Sequence, residues 1–138
     1  MVLLFKGIPM SSKIKFKIGE QYEKHEFDLD WVETIFEEHL RYEVYQYIGK
    51  GKITLFSFEV QKTLLAYNCD FLSGIFYFLD SDKYPDLIEK PNLKIGKKIE
   101  SDNFKNYVLL SITSSKKNYV VVKSENYYFD DCIKASYF

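Results

Sequence analysis

The sequence predicts a single α+β domain, residues 1–138, in which one principal helix packs on a mostly antiparallel sheet. A chain of 138 residues with 46% hydrophobic content has the size of one domain and can bury a core. Several short segments have the alternating or β-branched composition of strands, whereas one longer segment repeats its apolar residues every three or four positions. No repeat, linker or low-complexity tract divides the chain.

The N-terminal part predicts a β-hairpin. Residues 13–18 alternate lysine with isoleucine or phenylalanine, which is typical of a strand with one solvated side. A turn is predicted at Gly19, and residues 21–27 are predicted to form the partner strand. Residues 1–9 fit either an additional edge strand or an extension that the core does not need, and the sequence leaves both interpretations open.

Residues 31–48 are predicted to form the principal helix. Asp30 and Glu33 have the spacing of an N-terminal capping box, and Gly49 follows where a left-handed C-cap is expected. The apolar residues recur at intervals of three and four, as on a helix that is buried along one side. This apolar stripe consists of Val32, Ile35, Phe36, Leu40, Val44, Tyr47 and Ile48.

The central segments are predicted from their composition. Residues 53–60 are rich in aromatic and β-branched side chains and predict a strand. Residues 61–79 fit either a helix or a strand, and a strand is favoured from Gly74 onward. Residues 80–86 have the composition of a turn, and one short helical turn is expected directly after them, at 87–88.

The last third of the chain predicts a second hairpin. Residues 107–114 and 119–123 are β-branched runs joined by a short polar turn. A further strand is predicted at 127–129, and a short capped helix is predicted from Asp130 towards the end of the sequence.

Charge and hydropathy argue against two classes of partner. The formal net charge is −1 and Arg41 is the only arginine, so the chain has neither the field nor the side chains that nucleic-acid binding favours. The first five residues are apolar but too few for a signal peptide, and the next apolar run, 71–79, is too short to cross a bilayer. We expect a cytoplasmic protein that binds neither nucleic acid nor membrane.

No motif indicates a metal, a cofactor or a catalytic centre. His25 and His39 have carboxylates near them in sequence but not at the spacing of a metal site. No sequence argument places Cys69 or Cys132 beside a histidine base, and whether these two cysteines form a disulfide stays open. We therefore expect no metal, no cofactor and no enzymatic activity.

The distribution of charge is the feature that points to a partner. Residues 26–46 contain seven acids and one cationic residue, so this segment has a net charge of −6 and the rest of the chain +5. A solvated helix face explains this pattern, and so does a surface that steers a basic protein to its docking site. The candidate partner-binding residues are Asp30, Glu33, Glu37, Glu38, Arg41, Tyr42 and Tyr45.

In its general character the chain resembles the immunity proteins of bacterial polymorphic and contact-dependent toxin systems, and phage-borne inhibitors of host defence. The resemblance rests on a small, single-domain, cysteine-poor α+β chain rich in Lys, Phe and Tyr, in which a capped acidic helix that begins Asp30-Trp-Val-Glu-Thr-Ile-Phe36 is predicted to pack on an antiparallel sheet. It implies a non-enzymatic inhibitor that binds a basic toxin or effector and blocks its active site. It carries over no functional residue.

Two other hypotheses stay open. With 18% aromatic residues, the sheet could enclose an apolar pocket for a small-molecule ligand or substrate. A pocket that buries His25 or His39 beside carboxylates would favour that hypothesis. A structural or oligomer-forming protein would instead pair its exposed strand edges between copies.

Overall fold

A computed structural model describes residues 15–37, 39–80, 84–89, 94–95, 107–113 and 120–124. Its strands are β1 (Leu29–Glu37), β2 (Leu40–Tyr47), β3 (Thr54–Leu55), β4 (Phe58–Glu59), β5 (Lys62–Asn68), β6 (Phe71–Asp80), β7 (Lys94–Ile95), β8 (Tyr107–Thr113) and β9 (Val120–Ser124). Within these residues the only α-helix is the five-residue α1, Tyr84–Ile88. Two 3₁₀ turns, Tyr22–Lys24 and Glu26–Asp28, precede β1.

Seven of these strands form one sheet in the order β1-β2-β5-β6-β8-β9-β7. Every pair in it is antiparallel except β7 with β9, and β3 and β4 form a separate two-stranded hairpin. The pairs β1–β2, β5–β6 and β8–β9 are hairpins, so three of the six neighbouring pairs in the sheet are also consecutive in sequence. Among the described strands, β1 is the outermost on one side.

Strand pairing defines two faces of the sheet, because directly opposite residues point to the same side. We call the side that carries Tyr45 and its partner Leu65 the Tyr45 face. The opposite side, which carries Val44 and its partner Ala66, is the Val44 face.

Both faces of the central strands are buried, so β5 and β6 are continuous apolar runs rather than alternating ones. Leu64, Phe76 and Phe78 on the Val44 face are at most 1% exposed. Residues 15–28, the β3–β4 hairpin and α1 contribute side chains that pack on the Tyr45 face. The buried cluster on this face consists of Phe16, Leu65, Tyr67, Leu72, Ile75, Tyr77, Leu79, Leu87 and Leu110.

The predicted helix over residues 31–48 is wrong, and with it the α+β class. This segment forms β1 and β2, which makes the described part of the chain almost entirely β. Three members of the supposed helical stripe, Phe36, Leu40 and Ile48, are 47 to 69% exposed. The strands are favoured instead by β-branched and aromatic residues, which lose less conformational freedom in a strand than in a helix.

Other predictions had mixed outcomes. The hairpin predicted at 107–123 is confirmed as β8 and β9, and the short helical turn is confirmed as α1. Residues 61–79, for which a helix or a strand was open, contain the two strands β5 and β6, joined by a turn at Cys69 and Asp70. The predicted strand at 53–60 is interrupted by a turn and becomes β3 and β4.

The N-terminal hairpin prediction is wrong within the described residues. Residues 15–20 form an irregular segment ending in a turn, and residues 22–28 form the two 3₁₀ turns instead of a strand. The alternation was still informative, because Phe16 is buried whereas Lys15 and Lys17 are exposed. The predictions for 1–9, 127–129 and 130 onward lie outside the described residues. In the part of the chain that the structure describes, no helix has the length and apolarity to span a bilayer.

Candidate functional site

The predicted partner-binding residues lie on the β1–β2 hairpin, but on both of its sides. Asp30, Glu33 and Glu37 occupy positions on the Val44 face of β1, because their partners are Gln46, Val44 and Leu40. Arg41 and Tyr45 occupy positions on the opposite, Tyr45 face of β2. Tyr42 is only 5% exposed, and Glu38 lies outside the described residues.

A β-bulge keeps the three acids of β1 on one side. The pairing steps from Trp31–Tyr45 to Glu33–Val44, so Val32 is the extra residue of the bulge. Without it, Asp30 and Glu33 would lie on opposite faces, since side chains alternate along a strand.

Exposed aromatic side chains lie on the other side of the same strand. Trp31 is 60% exposed and Phe36 is 69% exposed, and both occupy positions on the Tyr45 face, opposite Tyr45 and Arg41. Phe27, just before β1, is 91% exposed. We call the acids and aromatic residues of β1, with its outer backbone edge, the edge surface: Asp30, Trp31, Glu33, Phe36 and Glu37.

The backbone of β1 is available on its outer edge as far as the described strands are concerned, since β2 is its one partner among them. A strand bonds its neighbour through alternate residues, so the intervening N–H and C=O groups of β1 point away from β2. Asp28 and Asp30 are exposed and form no ion pair with a described residue. The edge therefore offers backbone hydrogen-bonding groups and negative charge together.

The side chain of Glu43, on β2, links the two strands of the hairpin. Its carboxylate accepts hydrogen bonds from Trp31 Nε1 at 3.1 Å and from Thr34 Oγ1, and forms an ion pair with Arg41 Nη2 at 2.6 Å. The Thr34 hydrogen bond is the largest influence that lowers the pKa of Glu43, followed by those of Trp31 and Arg41, and together they outweigh desolvation. Arg41 therefore neutralises one acid of the hairpin and is not a free cation.

A cavity of about 460 Å³ opens beside this network. It lies between the start of β2, the turn that joins β5 to β6, and Tyr22 of the first 3₁₀ turn. The side chains that line it are Tyr22, His39, Leu40, Arg41, Glu43, Tyr45, Tyr67, Asn68, Cys69 and Asp70. At its rim, the side-chain Nδ2 of Asn68 donates to the Arg41 carbonyl at 2.8 Å, and the backbone N of Tyr22 donates to the Asp70 carbonyl at 2.7 Å.

Three tyrosine rings form one wall of the cavity. The ring centroids of Tyr22, Tyr45 and Tyr67 lie 5.2 to 5.8 Å from one another. Burial raises the pKa of Tyr45, and Tyr22, Glu43 and Asp70 raise it further. Burial also raises the pKa of Tyr67, whose hydroxyl is buried and has no hydrogen-bond partner in the part of the chain that the structure describes. Burial and nearby negative charge thus favour the neutral hydroxyls of Tyr45 and Tyr67.

The histidines have separate environments. His25 Nε2 lies 3.2 Å from Glu20 Oε1, and the ring packs edge-on against Phe16 and Tyr47. His39 is exposed at the hairpin turn and lines the cavity. No group of three or more potential metal ligands comes together among the residues that the structure describes.

Sequence reasoning missed Trp31, Phe36, Glu43 and Asp70 as site residues. Trp31 and Phe36 were assigned to a helix, although an exposed tryptophan in a β-branched segment could have indicated an edge strand. Asp70 comes to the cavity through a turn that no glycine or proline marks. Comparisons with protein families, curated proteins and solved structures give no match for this chain.

Proposed function

We propose that the protein is a non-enzymatic, protein-binding inhibitor, of the toxin-immunity kind, that captures an extended basic segment of its partner along β1. The observation that carries this proposal is the edge surface, where two largely exposed aromatic side chains and three acid positions flank a strand that is outermost among the strands described. Strand addition to such an edge is a common mode of peptide recognition. Because residues 31–48 form strands, the proposed binding surface is β1 and not the outer face of a helix.

The dimensions of β1 suit an added strand. Nine residues at roughly 3.3 Å each give an edge about 30 Å long, enough for a peptide of seven or more residues. Main-chain hydrogen bonds would supply affinity, and Trp31 and Phe36 would anchor alternate side chains on the Tyr45 face.

The charges of the edge surface favour a basic occupant over a second copy of the chain. On the Val44 face, alternate side chains of an added strand would lie beside the positions of Asp30, Glu33, Ile35 and Glu37, three of which are acids. A second β1 would bring acids against acids, which is unfavourable across a sheet. A segment that alternates lysine with an apolar residue would place lysines on the acidic side and apolar groups on the aromatic side.

A synthetic peptide tests this mode directly, because the chain contains one tryptophan, Trp31, at the proposed interface. We expect the capped peptide KVKVKVK to change Trp31 fluorescence saturably, and more weakly as salt rises. EVEVEVE is the charge control, and KVKPKVK keeps all four lysines but removes a backbone donor. Equal responses to all three peptides would contradict strand capture.

Matched variants distinguish binding at the edge surface from non-specific attraction between the basic peptide and the acids of the protein. Phe36→Ala and Asp30→Asn should each weaken KVKVKVK binding by about tenfold or less, the usual scale for an interface side chain. Phe71→Ala, an exposed aromatic on β6, and Asp86→Asn, an exposed acid on α1, are the controls. If the control variants weaken binding as much as the edge variants do, the proposed interface is wrong.

The inhibitor function itself is tested in cells. Co-expression with a toxin whose gene neighbours the gene of this chain should restore growth, and a combined Asp30→Lys and Phe36→Ala variant should restore less. If the double variant restores growth as well as the parent protein does, at equal protein levels, inhibition through β1 is contradicted.

A further inference from the structure

We propose that the cavity beside the β1–β2 hairpin binds an organic cation of the guanidinium or alkylammonium type. The cavity, of about 460 Å³, is within the size range of small-ligand sites. It lies beside the start of β2, the end of β5 and the β5–β6 turn. The inference does not depend on strand capture at β1.

The lining of the cavity matches a cation better than an anion. Two carboxylates, Asp70 and Glu43, contribute to it, and the guanidinium of Arg41 already forms an ion pair with Glu43. Asp70 forms no ion pair with any residue that the structure describes. A cation that enters the cavity could therefore pair with the Asp70 carboxylate, which has no counter-ion among the described residues. It could also contact Glu43 Oε2, the oxygen that bonds Arg41.

The aromatic wall adds a second, independent reason. The rings of Tyr22, Tyr45 and Tyr67 are packed against one another, and all three line the cavity. Tyrosine faces attract a cation, most strongly where water is partly excluded. Tyr67 is only 3% exposed, and its hydroxyl has no hydrogen-bond partner among the described residues, so this wall contains a buried polar group that a ligand could bond.

The conformation of the turn at Asp70 allows a substitution that removes the charge of this residue without disturbing the backbone. Cys69 and Asp70 have φ of 51° and 66°, in the left-handed region. Asparagine adopts this region more readily than most residues, so Asp70→Asn should keep the turn while removing the charge. The backbone contact from Tyr22 N to the Asp70 carbonyl does not involve the side chain that is changed.

Three small probes define the chemistry by calorimetry and by Trp31 fluorescence, since Trp31 donates to Glu43 at the cavity. Agmatine carries a guanidinium and an ammonium group, N-acetyl-argininamide carries a guanidinium on a peptide-like body, and N-acetyl-citrullinamide is its neutral isostere. We expect both cations to bind with roughly millimolar affinity and the citrulline compound to bind at least about tenfold more weakly. Tighter binding of agmatine would indicate a free polyamine-like ligand, and tighter binding of the argininamide would indicate an arginine side chain of a partner.

The variants decide whether the cavity is the site. Asp70→Asn should weaken binding of both cations by about tenfold, whereas the matched acid variant Asp86→Asn on α1 should leave it unchanged. The inference is overturned if neither cation binds at about 10 mM, if the citrulline compound binds as well as the argininamide, or if Asp70→Asn has no effect. Phe36→Ala, which weakens strand capture, should not change cation binding, so the two proposals can fail separately.

Discussion

Replacement of Glu43 by glutamine tests the network that joins the two strands of the hairpin. The change removes the negative charge but keeps an oxygen that can accept hydrogen bonds from Trp31 Nε1 and Thr34 Oγ1. It abolishes the ion pair with Arg41, whose Nη2 lies 2.6 Å from the carboxylate. We expect Glu43→Gln to lower the free energy of unfolding at neutral pH.

The size of this effect follows from the exposure of the partners. A hydrogen bond to a charged group contributes about 1.5 to 3 kcal/mol when buried, and a surface ion pair about 1 kcal/mol or less. Here the side chain of Glu43 is 27% exposed and that of Arg41 is 65% exposed, so solvent screens the ion pair. Because two hydrogen bonds survive in weaker form, we expect a loss of about 1 to 2 kcal/mol.

The contribution of Glu43 to the free energy of unfolding depends on pH, because only the ionised carboxylate forms the ion pair. The pKa of Glu43 is lowered in the folded protein from its ordinary value of 4.5, so its charge stabilises the fold above that pH. The contribution is lost as pH falls from 4.5 through the lower, folded-state pKa, where the carboxyl becomes neutral.

Urea unfolding followed by circular dichroism measures the stability loss in Glu43→Gln and its dependence on pH. The measurements are made at neutral pH and at a pH well below the folded-state pKa of Glu43. The parent protein and Glu43→Gln should differ at neutral pH and converge at the acidic pH, because both side chains are then uncharged. A difference that persists unchanged at the acidic pH would mean that the side chain stabilises the hairpin through packing and not through its charge.

Three further variants probe the packing of the sheet. A Cβ at Gly49 would overlap the Tyr47 ring and hydroxyl, so Gly49→Ala should lower stability by about 1 to 3 kcal/mol in thermal or urea unfolding; unchanged stability would contradict this contact. Thr63 Oγ1 is buried and has no hydrogen-bond partner among the residues described, so Thr63→Val should raise stability by about 1 kcal/mol, and a loss of stability would imply a partner for the hydroxyl. Burial raises the pKa of Tyr67 above its ordinary 10.0, so the parent should lose stability as pH rises above 10. Tyr67→Phe should lose less over the same range, and equal losses would contradict burial of a neutral hydroxyl.

Composition was enough to predict the strands that are apolar on both sides or rich in valine. Residues 107–114 and 119–123 could be predicted as a hairpin because β-branched runs on either side of a short polar segment favour few other structures. The same logic identified the strand after Gly74, although burial of both faces removed the alternation that would have extended the prediction back to Lys62.

The helix prediction failed because hydrophobic spacing is ambiguous over a short segment. Ile35 and Val44 are both buried, but each is buried through strand pairing, whereas Phe36 between them in the pattern is 69% exposed. The Asp30–Glu33 spacing of a capping box arose from two acids separated by a β-bulge. Local spacing alone does not distinguish these structures, and the β-branched and aromatic composition was the better guide.

The turns explain why the site itself could not be predicted. Phe56 and Ser57 join β3 to β4, and Cys69 and Asp70 join β5 to β6, all four with positive φ. Such turns favour glycine and asparagine, so their positions were hidden in this sequence. Without the turns, the register that brings Glu43 and Asp70 to one cavity cannot be derived from the sequence.

Amide hydrogen exchange along β1, with and without KVKVKVK, tests most directly whether this strand is an open edge that captures a basic segment. In the free protein, the β1 amides that bond β2 should exchange slowly, and the alternate, outward-facing amides should exchange fast. Bound peptide should slow the outward-facing amides at least about tenfold and leave those of β5 unchanged. Outward-facing amides that are already protected in the free protein, or that stay fast when the peptide is bound, would contradict the account.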